Sequence, residues 1–262
     1  MFIRIWHIII LGTTLAFASC ESPAASTEGD GGIPLPSFPP TTGDTTRVLF
    51  IGNSLTYVND LPGTLAAIAS LDSQKIIYES VAYPDFALVD HLSGVSNAVS
   101  QIQEGGWDFV IMQQGPSSLQ ESRDLLIQGV KALNSYIKAA GAKPALYMVW
   151  PDKSRYSFFE AVRVSYKLAA DTVGGLFLPA GEAWLTAWQE DSQLALYGPD
   201  NFHPSPLGTY LAALVIFERL TGRDSRNLPA VAVADGQSLD VSVSSVKLLQ
   251  RAAHTTNARY AN

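Results

Sequence analysis

Three residues of the types that perform acyl-transfer chemistry occur in two short segments far apart in the chain. Residues 52–56 (GNSLT) place the hydroxyl of Ser54 directly after an apolar run at 48–51. Residues 200–204 (DNFHP) place the carboxylate of Asp200 three positions before the imidazole of His203. A hydroxyl, a base that deprotonates it and an acid that orients the base are the three groups of nucleophilic catalysis at a carbonyl. The pattern predicts these three roles for Ser54, His203 and Asp200.

His203 is the histidine with the best setting for such a role. It alone among the four histidines has a carboxylate three residues before it, in a predicted loop that opens a helix; the others are His7, His91 and His254. In such a loop Asp200 can accept a hydrogen bond from Nδ1 and leave Nε2 free to face Ser54. In the alternative reading, Asp200 only caps the following helix, and the residues around Ser54 are only a turn.

Composition and charge exclude some classes of protein. The 262 residues are 47% hydrophobic and 16% charged, which is typical of a folded chain with a large core. The formal net charge of −7 disfavours a nucleic-acid partner, because binding to phosphates depends on Lys and Arg.

The N-terminal residues have the pattern of an export signal. Residues 1–19 carry Arg4 before an apolar stretch that is too short to span a bilayer, which predicts a signal peptide. Residues 17–20 (FASC) resemble a bacterial lipobox, which implies lipidation of Cys20 and attachment to a membrane of the cell envelope. Phe17 departs from the usual leucine, so cleavage by the ordinary signal peptidase stays open. Residues 20–46 are rich in Ser, Thr, Pro and Gly and predict a flexible tether.

The folded domain is predicted over 47–262, where short apolar runs alternate with amphipathic stretches. Strands are predicted at 48–51, 76–81, 109–112, 145–149 and 176–179, and helices at 61–71, 89–103, 123–140, 158–173, 182–196, 206–220 and 241–253. Fully apolar strands separated by helices indicate a parallel sheet covered on both faces. The expectation is an α/β three-layer sandwich, flavodoxin-like, with a five-stranded parallel sheet. Whether residues 223–262 join the core or form an outer layer is left open.

The two motifs together resemble those of a known family. Residues 52–55 (GNSL) are similar to the Gly-Asp-Ser-Leu block of the SGNH (GDSL-type) esterases and lipases, and Asp200-x-x-His203 matches their last block. The resemblance covers about residues 47–222 and includes the order of the motifs. It implies Ser54 as nucleophile, His203 as general base and then acid, and Asp200 as the orienting carboxylate.

Two middle blocks of that family are altered here. The family's second block supplies a glycine N–H to the oxyanion hole, but residues 64–93 contain no glycine. The N–H of Asp85 is the expected substitute beside the N–H of Ser54, because aspartate tolerates left-handed backbone. The third block's asparagine is absent, and Gln113 or Gln114 is expected to supply the amide donor. In the alternative reading, both amides contact only backbone.

Aromatic residues near the predicted strand ends are candidates for substrate contacts. Trp150 and Trp184 follow two of the strands, and Tyr57 follows the nucleophile. Their rings could stack on a sugar or line an acyl pocket, or the tryptophans could simply close the core. No metal or cofactor is predicted, since histidines are few and neither a zinc motif nor a Gly-rich phosphate loop occurs.

The sequence thus favours an exported, lipid-anchored serine hydrolase. The preferred substrate class is an O-acetyl or short-acyl ester on a carbohydrate. A non-catalytic surface binding protein on the same scaffold is one alternative, and a lipase or thioesterase is another.

Overall fold

The computed structural model describes residues 45–260. The predicted signal peptide, Cys20 and the predicted tether up to residue 44 lie outside the described residues. The first strand begins at Thr45, so the last two residues assigned to the tether belong to the sheet.

A five-stranded parallel sheet forms the centre of the domain. Its strands run β2-β1-β3-β4-β5 across the sheet, which is the flavodoxin-like order. Their bounds are β1 Thr45–Gly52, β2 Lys75–Ala82, β3 Phe109–Met112, β4 Lys143–Tyr147 and β5 Leu176–Leu178. All residues of β3 and β5 are buried, as expected for strands covered on both faces. The predicted fold class is confirmed.

Helices cover the sheet in two layers. They are α1 Ser54–Tyr57, α2 Leu61–Ser70, α3 Ala98–Glu104, α4 Gln120–Ala139, α5 Phe159–Val173, α6 Ala180–Glu190, α7 Pro206–Thr221 and α8 Val243–Arg259. In one group α3 packs on α4 and α4 on α5, and in the other α7 packs on α2, α6 and α8. Nearly every residue of α7 is buried, which confirms the prediction of a core helix there. Among the described helices, none has the length and apolar character needed to cross a membrane.

One predicted helix is wrong and several boundaries move. The stretch 89–103 contains only a 3-10 turn at Asp90–Leu92 and the short helix α3. Gly94 lies between them with φ of 80°, which interrupts the helical backbone. The helix predicted at 182–196 ends at Glu190, and the last helix continues six residues past the predicted end at 253.

The C-terminal segment belongs to the main core. A small antiparallel hairpin, β6 Val233–Ala234 and β7 Gln237–Ser238, leads into α8. The apolar side of α8 is buried in the same hydrophobic cluster as the sheet, through Val246, Leu249, Ala252 and Ala253. The structure therefore answers the question left open for residues 223–262.

Candidate active site

Ser54 stands at the sharp turn from β1 into α1. Asn53 caps this turn, since its Oδ1 accepts from the N–H of Leu55 at 3.1 Å and its Nδ2 donates to the carbonyl of Phe86 at 3.0 Å. The N–H of Ser54 is the first of α1 and has no acceptor within the helix. The turn thus presents the Ser54 hydroxyl and its N–H at the end of β1.

Gln113 holds this turn from the neighbouring strand. It follows β3, and its Oε1 accepts from the N–H of Asn53 at 3.0 Å and from the hydroxyl of Thr56 at 2.7 Å. Its Nε2 donates to Oδ1 of Asn53 at 2.9 Å and to the carbonyl of Gln114 at 2.6 Å. A side chain at Gly52 would clash, because a Cβ there would lie 2.5 Å from Oε1 of Gln113. Gln113 therefore fixes the position of the turn that carries Ser54.

His91 holds the same turn from another side, a role that the sequence did not reveal. Its ring is completely buried, and Nε2 lies 3.0 Å from the carbonyl of Gly52. A carbonyl only accepts, so Nε2 donates, and Nδ1 accepts from the hydroxyl of Ser96 at 3.0 Å. Burial lowers the pKa of His91 below its usual range, consistent with a neutral ring. The rings of Tyr83 and Phe86 pack around it.

The second motif forms a tight loop before α7. Tyr197 and Pro204 are bridged across it, and the N–H of Gly198 donates to the carbonyl of His203 at 2.7 Å. Inside the loop, Oδ1 of Asp200 accepts from the N–H of Phe202 at 3.0 Å and from the N–H of His203 at 2.9 Å. The loop conformation thereby turns the other oxygen of Asp200 toward the imidazole.

Ser54, His203 and Asp200 form one chain of hydrogen bonds. Nε2 of His203 lies 2.8 Å from Oγ of Ser54, and Nδ1 lies 2.5 Å from Oδ2 of Asp200. The bond from the imidazole, followed by that from the N–H of Phe202, lowers the pKa of Asp200 to about 2. An ionised carboxylate only accepts, so Nδ1 carries the proton and Nε2 is free to accept the proton of the Ser54 hydroxyl.

A cavity of about 320 Å³, the Ser54 cavity, lies beside Ser54. Ser54, Asp85 and Gln114 are among its lining residues. Asp85 adopts a left-handed backbone with φ of 61°, and its N–H has no acceptor among the hydrogen bonds of residues 45–260. Ser54 and Asp85 thus both line the cavity, and among residues 45–260 the backbone N–H of neither has a hydrogen-bond acceptor.

The two glutamines differ in their availability as oxyanion donors. Both Nε2 hydrogens of the completely buried Gln113 are bonded within the turn, so the structure leaves it none to offer. Gln114 lines the Ser54 cavity, with Nε2 donating to Oγ of Ser117 at 2.8 Å and to the carbonyl of Ser122 at a longer 3.3 Å. Both amides are thus hydrogen-bonded within the protein, but the bond from Gln114 to Ser122 is long and Gln114 lines the cavity. The structure therefore favours Gln114 over Gln113, and its role as an oxyanion donor stays a prediction.

The predicted aromatic contacts need correction. Trp150 and Trp184 are completely buried and stack on each other with ring centroids 3.5 Å apart, so neither ring can touch a substrate. The indole N–H of Trp150 donates to the carbonyl of Phe202, in the Asp200–His203 loop, and that of Trp184 donates to the carbonyl of Gly208, at the start of α7. Tyr57 is 42% exposed but does not line the Ser54 cavity, and its role in binding stays a prediction.

A separate cluster of possible metal ligands is formed by residues of α7, of α8 and of the segment after α7. Ligand atoms of Glu218, Asp224 and His254 lie within 4.8 Å of one another. They are already paired: Nδ1 of His254 is 3.1 Å from Oε1 of Glu218, and Asp224 forms an ion pair with Arg226 at 2.6 Å. We interpret the cluster as a fastening of α8 onto α7.

Comparison with known proteins supports the fold. No family model matches the chain, and no curated protein is similar to it in sequence. A DUF4886 family protein from Bacteroides uniformis superimposes with a TM-score of 0.69 at 19% identity, covering 83% of this chain and 96% of that one. A protein from Slackia heliotrinireducens, classed by prediction as an SGNH hydrolase, gives 0.56 at 28% identity, covering 67% and 98%.

A lipase/acylhydrolase from Enterococcus faecalis gives a TM-score of 0.54 at 13% identity, covering 68% of this chain and 96% of that one. The fold of this protein is thus the α/β fold of the SGNH-type hydrolases. At these identities the likeness defines the architecture, and the chemistry has to be argued from the site.

Proposed function

We propose that this protein is a serine hydrolase that cleaves ester bonds through Ser54, His203 and Asp200. The observation that carries the proposal is the unbroken chain of contacts from the Ser54 hydroxyl through the imidazole to the carboxylate, at 2.8 Å and 2.5 Å. Solved structures of similar fold include a lipase/acylhydrolase and an esterase from Pseudoalteromonas, and both names agree with this class of reaction.

The contacts suggest the order of proton transfers. Oγ of Ser54 attacks the ester carbonyl while Nε2 of His203 takes its proton. The N–H groups of Ser54 and Asp85, with Nε2 of Gln114, stabilise the tetrahedral oxyanion. The intermediate collapses, and His203 returns the proton to the leaving alcohol. Water, deprotonated by His203, then releases the acyl group from Ser54.

We further propose that the acyl group is short, with acetyl as the preferred case. The Ser54 cavity is small, and polar groups of Gln114, Ser117 and Ser122 line it together with Phe86 and Phe202. Its volume of about 320 Å³ lies near the lower end of the range of about 300–1,000 Å³ for small-molecule sites, so a short acyl group fits it better than a long alkyl chain. This supports an O-acetyl or short-acyl carbohydrate ester over a lipid ester.

The test is turnover of p-nitrophenyl acetate by the wild type and by the Ser54→Ala variant. Loss of turnover in the variant supports the hydrolase. Equal rates in the two proteins would favour the second candidate, a non-catalytic binding protein, which the altered second and third blocks motivate. Faster cleavage of long-chain than of acetyl esters would indicate a lipase or thioesterase instead.

The cellular location is a separate proposal that rests on residues 1–20 alone. We propose export and anchoring to a membrane of the cell envelope through a lipid on Cys20. Recovery in the membrane fraction that is lost in a Cys20→Ala variant would support the anchor, and an unchanged distribution would contradict it.

A further inference from the structure

A second cleft, about 510 Å³ in volume, lies next to the Asp200–His203 loop and includes Asn201 of that loop. Three aromatic side chains line it, Tyr156, Trp188 and Tyr197, together with the polar residues Lys153 and Asn201. We call the cleft lined by these five residues the aromatic cleft. Its volume lies within the range of about 300–1,000 Å³ typical of small-molecule sites.

The rings of the cleft are held in fixed positions. Trp188 and Tyr197 are stacked, with centroids 5.7 Å apart, and Tyr156 lies 6.1 Å from Trp188. The indole N–H of Trp188 donates to the carbonyl of Leu194 at 2.9 Å, and the hydroxyl of Tyr197 donates to the carbonyl of Pro151 at 2.6 Å. A ligand would therefore meet a preformed aromatic surface, which lowers the entropic cost of binding.

The cleft connects to the catalytic histidine. Tyr197 also lines an adjoining cavity of about 660 Å³, which includes Asp200 and His203. Asn201 lies between those two residues in the chain, and its carbonyl accepts from the N–H of Lys153 at 2.9 Å. In contrast, the Ser54 cavity shares no lining residue with either of these cavities.

This arrangement assigns the two sides of the site to the two parts of an ester. The general acid must reach the leaving oxygen, so the alcohol part lies on the side of His203. The acyl part then occupies the Ser54 cavity. The adjoining cavity and the aromatic cleft lie where an extended alcohol part would continue beyond His203.

The polar groups of the cleft indicate what that alcohol part is. Among residues 45–260, no hydrogen bond or ion pair uses Nζ of Lys153, the side-chain amide of Asn201 or the hydroxyl of Tyr156. Flat rings next to free donors and acceptors fit pyranose units, whose C–H faces stack on rings and whose hydroxyls need partners. We propose that the aromatic cleft binds the carbohydrate chain that forms the alcohol part of the substrate. This inference rests on the proposed esterase function.

The test compares two substrates in three variants. Tyr156→Ala removes a ring that is 53% exposed, Tyr156→Phe keeps the ring, and Tyr136→Ala is a control on the surface of α4, where Tyr136 is 37% exposed. The substrates are p-nitrophenyl acetate, which has no sugar, and acetylated xylotetraose. Thermal melting of each variant checks that it is folded.

For acetylated xylotetraose we expect Tyr156→Ala to lower kcat/KM by about tenfold, the effect of truncating one aromatic anchor of a binding site. We expect Tyr156→Phe to retain most of the activity, and p-nitrophenyl acetate turnover to change by less than about twofold in all three variants. Tyr136→Ala should leave both rates unchanged.

The outcomes separate this inference from the proposed function. If the wild type turns over p-nitrophenyl acetate in a Ser54-dependent way but Tyr156→Ala leaves the tetrasaccharide rate unchanged, the cleft proposal is overturned alone. The cleft proposal is also overturned if the wild type does not hydrolyse the acetylated tetrasaccharide. It is likewise overturned if Tyr156→Ala lowers the rates on both substrates equally. Turnover of p-nitrophenyl acetate that does not depend on Ser54 would overturn the esterase and the cleft together.

Discussion

In the proposed mechanism, the reactivity of Ser54 depends on which nitrogen of His203 carries the proton. Asp200 places the proton on Nδ1. One of its carboxylate oxygens accepts from two backbone N–H groups of its own loop, and the other accepts from Nδ1. Its pKa, lowered to about 2, keeps the carboxylate ionised through the whole range in which a hydrolase works. Asp200 therefore stays charged throughout that range and keeps the proton of the imidazole on Nδ1.

Replacing Asp200 by asparagine tests this control of the proton. The amide would present N–H groups to Nδ1 and favour the ring form with a proton on Nε2, which cannot accept from Ser54. We expect kcat on p-nitrophenyl acetate to fall on the order of 10³–10⁴. Asp152→Asn, which removes a neighbouring carboxylate that makes no contact with His203, is the control and should stay near the wild-type rate. An Asp200→Asn enzyme within about tenfold of wild type would contradict the assigned role.

Gln114 can be tested as the third oxyanion donor. If its Nε2 binds the developing charge, Gln114→Ala should lower kcat by about 10²–10³ while KM changes little. Gln103→Ala, at an exposed position of α3, serves as the matched control. A kcat that stays within about threefold of wild type would remove Gln114 from the mechanism.

At the scale of the elements, side chains from two other segments hold the turn that carries Ser54 in place. Gln113 reaches it from the end of β3, and His91 reaches it from the 3-10 turn after β2. Neither contact could be predicted from the sequence, because each joins residues that are far apart in the chain. For Gln113 the residue type suggested a free amide donor, whereas its strand position buries it between Asn53 and Thr56.

His91 gives this fastening a pH dependence. Its lowered folded pKa means that the unfolded chain takes up the proton first as the pH falls, so its contribution to stability is present above about pH 6.5 and is lost toward lower pH. Asp90, which opposes the shift, is the nearby charge. We expect the urea midpoint of the wild type to fall between about pH 7 and about pH 5 by more than that of His91→Gln.

Both proteins carry the same other titrating groups. A difference in how steeply their urea midpoints fall with pH is therefore due to His91. Equal slopes would contradict the neutral buried ring. If His91→Gln does not fold, NMR titration of the imidazole in the wild type gives the same information, and a ring that titrates near its ordinary pKa would contradict the account.

The order of the strands brings the site together at the scale of the whole molecule. Because β1 and β3 are neighbours, the turn with Ser54 and the glutamines after β3 meet at the carboxyl edge of the sheet. The alternation of short apolar runs with amphipathic stretches was sufficient to predict this sheet and its flavodoxin-like class. The length of the helix after residue 89 could not be predicted, since its apolar pattern continues through a break made by the backbone at Gly94.

The depth of Trp150 and Trp184 could not be predicted either. Residues near strand ends can lie either at the rim of a site or in the core. Here the Asp200–His203 loop and α7 pack over the two tryptophans and bury them. The aromatic residues that do reach the surface near the loop, Tyr156 and Tyr197, carried no sequence motif that distinguishes them.

The last helix should contribute strongly to the stability of the whole domain. Leu249 is completely buried within the main core, so Leu249→Ala is expected to reduce the free energy of unfolding by about 2–5 kcal/mol. Val243→Ala at the start of α8, where the side chain is 65% exposed, should change it by less than about 0.5 kcal/mol. Urea unfolding measures both, and similar small losses would mean that α8 lies outside the cooperative core.

The most direct test of the central claim is the site of covalent labelling by a fluorophosphonate, located by peptide mass spectrometry. A serine made nucleophilic by His203 predicts one adduct, on the peptide that contains Ser54, and its loss in both Ser54→Ala and His203→Ala. An adduct on another residue, or an unlabelled wild-type protein, would contradict the account.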